Sequence, residues 1–149
     1  MKKEKTNTKP SEPRNFPDTK ALVPLLSKRE AEPGFIEKIA QGTKEITLLL
    51  VIDTHAMAGK FGFATNEIAT GNALMQQVKT ALGKKRKTCN DVIEWGDTAT
   101  KIEHLAELQK ANKIYLVEQE NQFFKDLIKT LEETLPGIEI ETVPLPKFK

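Results

Sequence analysis

Two apolar runs of strand length, ALVPLL at residues 21–26 and EITLLLVID at residues 45–53, are joined by SKREAEPGFIEKIAQG, which reads as a loop and a short helix. Runs this rich in Leu, Ile and Val, with no polar alternation, suit strands buried on both faces of a parallel sheet. A βαβ unit of this kind carries its loops, and any ligand, at the carboxyl ends of its strands. The pair of runs therefore points to an α/β domain.

The rest of the chain repeats that alternation. Pro33 opens a helix whose one face is Phe35, Ile36, Ile39 and Ala40, and Gly42 closes it. After the second strand comes the long connector THAMAGKFGFATNE. A helix follows in which Ile68, Met75, Val78 and Leu82 keep helical spacing. Residues 88–95, with Cys89, Val92, Ile93 and Trp95, suggest a third strand broken by Gly96. Asp97 or Thr98 can cap a third helix, with Ile102, Leu105, Ala106 and Leu108 on one side. KIYLV at 113–117 is a fourth strand. Phe123, Phe124, Leu127, Ile128 and Leu131 mark a fourth helix, stopped by Pro136-Gly137. IEIETV at 138–143 alternates apolar and acidic residues, as an edge or interface strand would. Five strands alternating with helices imply right-handed crossovers.

At 149 residues the chain is long enough for one domain with a real core. The single cysteine, Cys89, excludes an intramolecular disulfide and a Cys-rich zinc site. No run approaches the ~18 apolar residues of a membrane span. MKKEKTNTKPSEPRNFPDTK is no secretory signal, because no apolar stretch follows its positive start. A cytoplasmic protein is the expectation. Residues 1–20 carry six basic and three acidic side chains, so of the net +2 the tail holds +3 and the body is near neutral. That body lacks the positive excess of many nucleic-acid-binding domains. The Pro- and Lys-rich stretch 1–20 is expected to be a disordered basic tail, followed by one domain at 21–146 and a short C-terminal tail at 147–149.

The candidate chemistry lies at strand ends. Asp53, Thr54 and His55 leave the second strand, and Gly59, Lys60, Gly62 and Gly71-Asn72 follow. Glycines let backbone N–H groups approach a phosphate, and Lys60 could add a cation. The spacing is neither GxGxxG nor GxxxxGK[ST], and glycines in a flexible surface loop account for it equally. Gly96, ending the third strand, would share an edge with Asp53 and admit a ligand closely, or would only make the turn beside a capping Asp97. His55 near Asp53 could form a general-base pair, but no nucleophile motif lies nearby. His104 reads as a solvated helix residue, KKRK at 84–87 as a solvated helix-to-strand loop, and Trp95 as a packing residue. No catalytic residue and no metal ligand is assigned.

The order of ALVPLL, helix, ITLLLVID, long loop and helix, WGDTATKIEHLAELQKANKIYLV, helix and IEIETVP resembles the universal stress protein superfamily. The resemblance covers residues 21 to about 144. It implies a five-stranded parallel sheet flanked by helices (a Rossmann-like fold), a homodimer with the strand at 138–143 at its interface, and a regulatory role in stress adaptation. Many members bind ATP, so ATP or another adenine nucleotide is the cofactor it suggests, though none is fixed by the residues. The aspartate that contacts adenine after the first strand is replaced here by Leu25 and Leu26. The glycine-rich phosphate loop after the fourth strand is replaced by EQENQFFKDL, which has no glycine.

The reading that follows is a non-catalytic, dimeric regulatory or interaction protein with at most weak or altered nucleotide binding. An altered site would use Asp53, Gly59, Lys60, Gly62 and Gly96. The alternative is a nucleotide-binding enzyme of the adenine nucleotide alpha hydrolase-like fold, which SKREAEPG after the first strand disfavours. Nucleic-acid binding through the tail and KKRK would be strongly salt-dependent.

Overall fold

The computed structural model describes residues 19–53 and 62–146. Residues 1–18 of the expected basic tail, the C-terminal tail and the connector residues Thr54, His55, Gly59 and Lys60 lie outside the described residues, whereas Lys20, placed in that tail, already opens β1. Along the chain run β1 (Lys20–Pro24), α1 (Pro33–Gly42), β2 (Glu45–Ile52), a 3-10 turn (Thr65–Glu67), α2 (Ile68–Gly83), β3 (Thr88–Trp95), α3 (Thr98–Leu108), β4 (Lys113–Val117), α4 (Gln122–Thr134) and β5 (Glu139–Val143). The five strands form one sheet in the order β3-β2-β1-β4-β5, and every neighbouring pair is parallel.

Side-chain alternation along the strands splits the core into two layers. Ala21, Val23, Ile46, Leu48, Leu50, Ile52 and Tyr115 face α1 and α2. Leu22, Leu49, Val51, Ile114 and Leu116 face α3 and α4. Both faces of β1 and β2 are thus covered, which is why these runs carry no polar alternation. Each fully buried Leu, Ile or Val contributes about 1.5–3 kcal/mol.

The helices are placed by their apolar stripes and their ends. In α1 the buried residues are Phe35, Ile36, Ile39 and Ala40, the face its spacing predicts. Asp97 caps α3 by accepting from the Thr100 backbone N–H at 3.0 Å, and Asn121 caps α4 by accepting from Phe124 N–H at 2.7 Å. KKRK is a turn: Arg86 sits at φ +63° and the Lys85 and Lys87 backbone N–H groups return to the Leu82 carbonyl. Of its side chains, Lys85 pairs with Glu37 of α1 at 2.6 Å and Lys87 donates to the Thr43 carbonyl, just before β2, at 2.7 Å.

Four expectations are corrected. Gly71-Asn72 does not belong to the connector; both residues lie inside α2. A Cβ at Gly71 would stand 2.8 Å from both Cδ atoms of Leu50, so glycine lets this helix press onto the sheet. Leu108 ends α3 largely exposed rather than buried with Leu105, because it falls to one side of the stripe that Ile102, Leu105 and Ala106 bury. Trp95 does not pack inside: it stands 53% exposed on β3, an edge strand with one neighbour. The first strand ends at Pro24, with Leu25 and Leu26 buried in the turn beyond it.

Candidate functional site at the carboxyl rim

Parallel strands bring the ends of β1, β2 and β3 to one rim, and Asp53 and Gly96 meet there. The Gly96 backbone N–H donates to the Ile52 carbonyl at 3.1 Å, directly beside Asp53. Gly96 holds φ +142°, which a side chain rarely tolerates, and a Cβ there would lie 3.0 Å from Lys101 Cε. The buried Asp53 carboxylate accepts from Thr98 N–H at 2.9 Å and from the Thr98 hydroxyl at 2.7 Å. A carboxylate on the first turn of α3 satisfies helix N–H groups and complements the helix dipole. Asp53 therefore ties β2 to α3.

Gly62 closes the same rim. Its N–H donates to the Leu26 carbonyl at 2.8 Å with φ +69°, and the Phe63 carbonyl accepts from Asp53 N–H at 3.0 Å. Of the five residues put forward as a site, the structure thus brings together Asp53, Gly62 and Gly96. Gly59 and Lys60 lie outside the described residues.

The turn after β1 is built around Glu30, which is fully buried. Its Oε2 accepts from Leu26 N–H (3.0 Å), Ser27 N–H (2.9 Å) and the Ser27 hydroxyl (2.9 Å). Its Oε1 has no partner. Burial raises the Glu30 pKa, and the Ser27 and Leu26 hydrogen bonds oppose that only in part. Lys28, at φ +70°, reaches Glu67 at 3.0 Å, and Arg29 holds Glu32 through two hydrogen bonds of 2.6 and 3.0 Å. Arg29 also donates to the Pro146 carbonyl. The cations nearest the rim are engaged with carboxylates.

Beside this turn, where β1, β4 and β5 end, lies a cavity of about 450 Å³. It is lined by Ser27 and Arg29 from the first loop, by Glu118–Asn121 after β4, and by Pro144 and Leu145. The crevice opens here because the chain leaves β1 toward one face of the sheet and β4 toward the other. These lining residues were not among the sequence candidates. A larger hollow of about 670 Å³ lies between α1 and α2, running from Ala31 and Pro33 beside the rim to Lys84 and Lys85. Among the described residues no group of three or more His, Cys, Asp or Glu could hold a metal ion, and no helix is long and apolar enough to cross a membrane. His104 is exposed on α3, as its position off the apolar stripe implies.

No family model matches the chain, and no curated protein matches it. Solved structures do. The hypothetical protein MJ0577 matches at a TM-score of 0.58 and 17% identity, over 89% of this chain and 100% of that one. A protein from the universal stress protein family of Burkholderia pseudomallei matches at 0.60 and 13% identity, over 89% and 100%. A universal stress protein in complex with cAMP matches at 0.50 and 8% identity, over 87% and 98%. At these identities the likeness concerns the backbone, and it spans nearly the whole of each neighbour: the chain has the universal stress protein fold.

Proposed function

We propose that this chain is a non-catalytic regulatory protein that works by association, in the cytoplasm, with at most weak affinity for nucleotides. The observation that supports this most is the loop after β4. Glu118 and Glu120 line the 450 Å³ cavity, and the loop contains no glycine whose backbone could cradle a phosphate. A triphosphate there would face two carboxylates, with Arg29 already holding Glu32. Both carboxylates are exposed, so their repulsion of a like-charged ligand is screened by salt but still opposes binding. A neighbour of the same fold was solved with cAMP. A nucleotide carrying one negative charge fits such a rim better than ATP does.

Calorimetry on the full chain with Mg-ATP, AMP and cAMP tests this reading. The expected result is Mg-ATP binding weaker than about 0.1 mM, with no phosphate release. Micromolar ATP affinity would overturn the weak-binding part. Phosphate release lost on Lys60→Ala would overturn the non-catalytic part and favour the enzyme alternative. Among the described residues the sheet ends in two edges on which association can draw: the outer edge of β5, the strand expected at a dimer interface, and that of β3.

A further inference from the structure

The hollow between α1 and α2 lies where the two helices seat on different strands. Gly42 lets α1 end against the Tyr115 hydroxyl of β4, which a Cβ there would strike. Gly71 lets α2 press onto Leu50, and that helix packs on β2 and β3. Between them, Ile36, Ala31 and Ala81, all packed on the same core layer, make an apolar floor. Gln76 stands at one end of the α2 wall and Lys84 at the other. An apolar hollow of 670 Å³ is in the size range of binding pockets and marks a surface that something covers.

The described chain begins beside the lysine end of this hollow. The Thr19 carbonyl accepts from Lys44 N–H at 3.1 Å and from Glu45 N–H at 3.3 Å. One residue earlier, the Thr43 carbonyl takes the Lys87 ammonium at 2.7 Å, three residues beyond Lys84. Eighteen residues precede Thr19, and the last two, Pro17-Asp18, are a turn-forming pair that favours reversal toward the helices. Just before that pair stands Phe16, the only aromatic residue among the eighteen. Pro10, Pro13 and Pro17 favour an extended chain and lower the entropy lost when it is ordered.

Length and charge agree. At the rise of an extended proline-rich chain, Glu12 to Phe16 span about 12 Å. Along α2, Gln76 to Lys84 rise by the same distance, about 12 Å. Residues 10–18 carry Glu12 and Asp18 against Arg14, so this stretch is acidic where residues 1–9 are basic. In the hollow, Lys85 and Glu37 satisfy each other at 2.6 Å, and Lys84 has no ion pair among the described residues.

We infer that residues 10–18 of the same chain lie in this hollow, with Phe16 on Ile36 and Ala81, Glu12 toward Gln76 and Asp18 beside Lys84. The tail expected to be disordered then shortens to residues 1–9. This docking is independent of whether the crevice at the rim takes a nucleotide.

Limited trypsin digestion of the full chain under native conditions tests it. The Arg14–Asn15 bond lies inside the docked stretch and the Lys5–Thr6 bond outside it. Cleavage of a docked segment tracks its opened population, so Arg14 is expected to be cut at least about tenfold more slowly than Lys5. Phe16→Ser, which alters no residue of the folded elements, removes that difference. Ala81→Glu does the same with its circular dichroism intact, whereas Leu108→Glu on the opposite face of the sheet does not. In a Cys89→Ser background, Asn15→Cys with Gln77→Cys closes a disulfide within one chain on mild oxidation. Asn15→Cys with Glu107→Cys, on the opposite face, does not. Arg14 and Lys5 cut equally fast overturn the inference, as does a protection indifferent to Phe16→Ser. A disulfide that joins two chains also overturns it, since the hollow would then hold the tail of a second copy.

Discussion

Glu30 is the residue whose energetics the sequence conceals. It occurs in SKREAEPG, a stretch that reads as a loop, and only the folded turn shows its carboxylate enclosed with Oε1 unpartnered. Burial raises its pKa above the unfolded value near 4.3. The folded state thus favours the protonated form. The stability this gives is complete below the unfolded pKa and is lost as pH rises through the folded one. Glu30→Gln keeps an oxygen to accept from Leu26 and Ser27 while carrying no charge. Urea unfolding followed against pH is expected to show wild-type stability falling toward neutral pH and a flatter profile for Glu30→Gln. Asp53 gives the opposite lesson. Its place at a strand end was legible, but its carboxylate is spent on Thr98 of α3, a partner 45 residues away.

Most secondary elements were legible because burial on both faces or on one helical stripe writes a period into the chain. β4 runs over Lys113–Val117 and β3 over Thr88–Trp95, as read. What was not legible is how closely elements approach each other. Gly71 looks like a connector glycine, yet it marks where α2 touches Leu50. Gly71→Ala gains about 1 kcal/mol of helix propensity but forces a Cβ into a packed core, a cost of about 1–3 kcal/mol. The expected outcome is a net loss of about 1 kcal/mol in urea unfolding. Leu50→Val, which relieves the contact, should recover part of that loss in the double variant. Strict additivity would show that the contact does not matter. Trp95 was misread for a related reason: a packing residue on a central strand becomes an exposed one on an edge, and strand order is set by crossovers, not by the strand's own sequence.

Over the whole molecule, strand order also decides where the hollow forms. The glycines after β2 drew attention to one side of β1, but the reversal between β1 and β4 puts the crevice on the other. Asp53, Gly62 and Gly96 share the rim with it without lining it. Sequence reasoning did reach the chemistry of that crevice indirectly, by noting that no glycine follows β4. If Glu118 and Glu120 are what repel phosphate, replacing both by Lys should tighten Mg-ATP binding at least about tenfold, with the gain shrinking as salt rises. An unchanged affinity would mean that shape, not charge, closes the crevice to nucleotides.

Pro144 carries a consequence for growth. Among the described residues the sheet ends in β3 on one side and β5 on the other. With a ring in place of an amide hydrogen just beyond β5, Pro144 takes one bond from any strand added on that side.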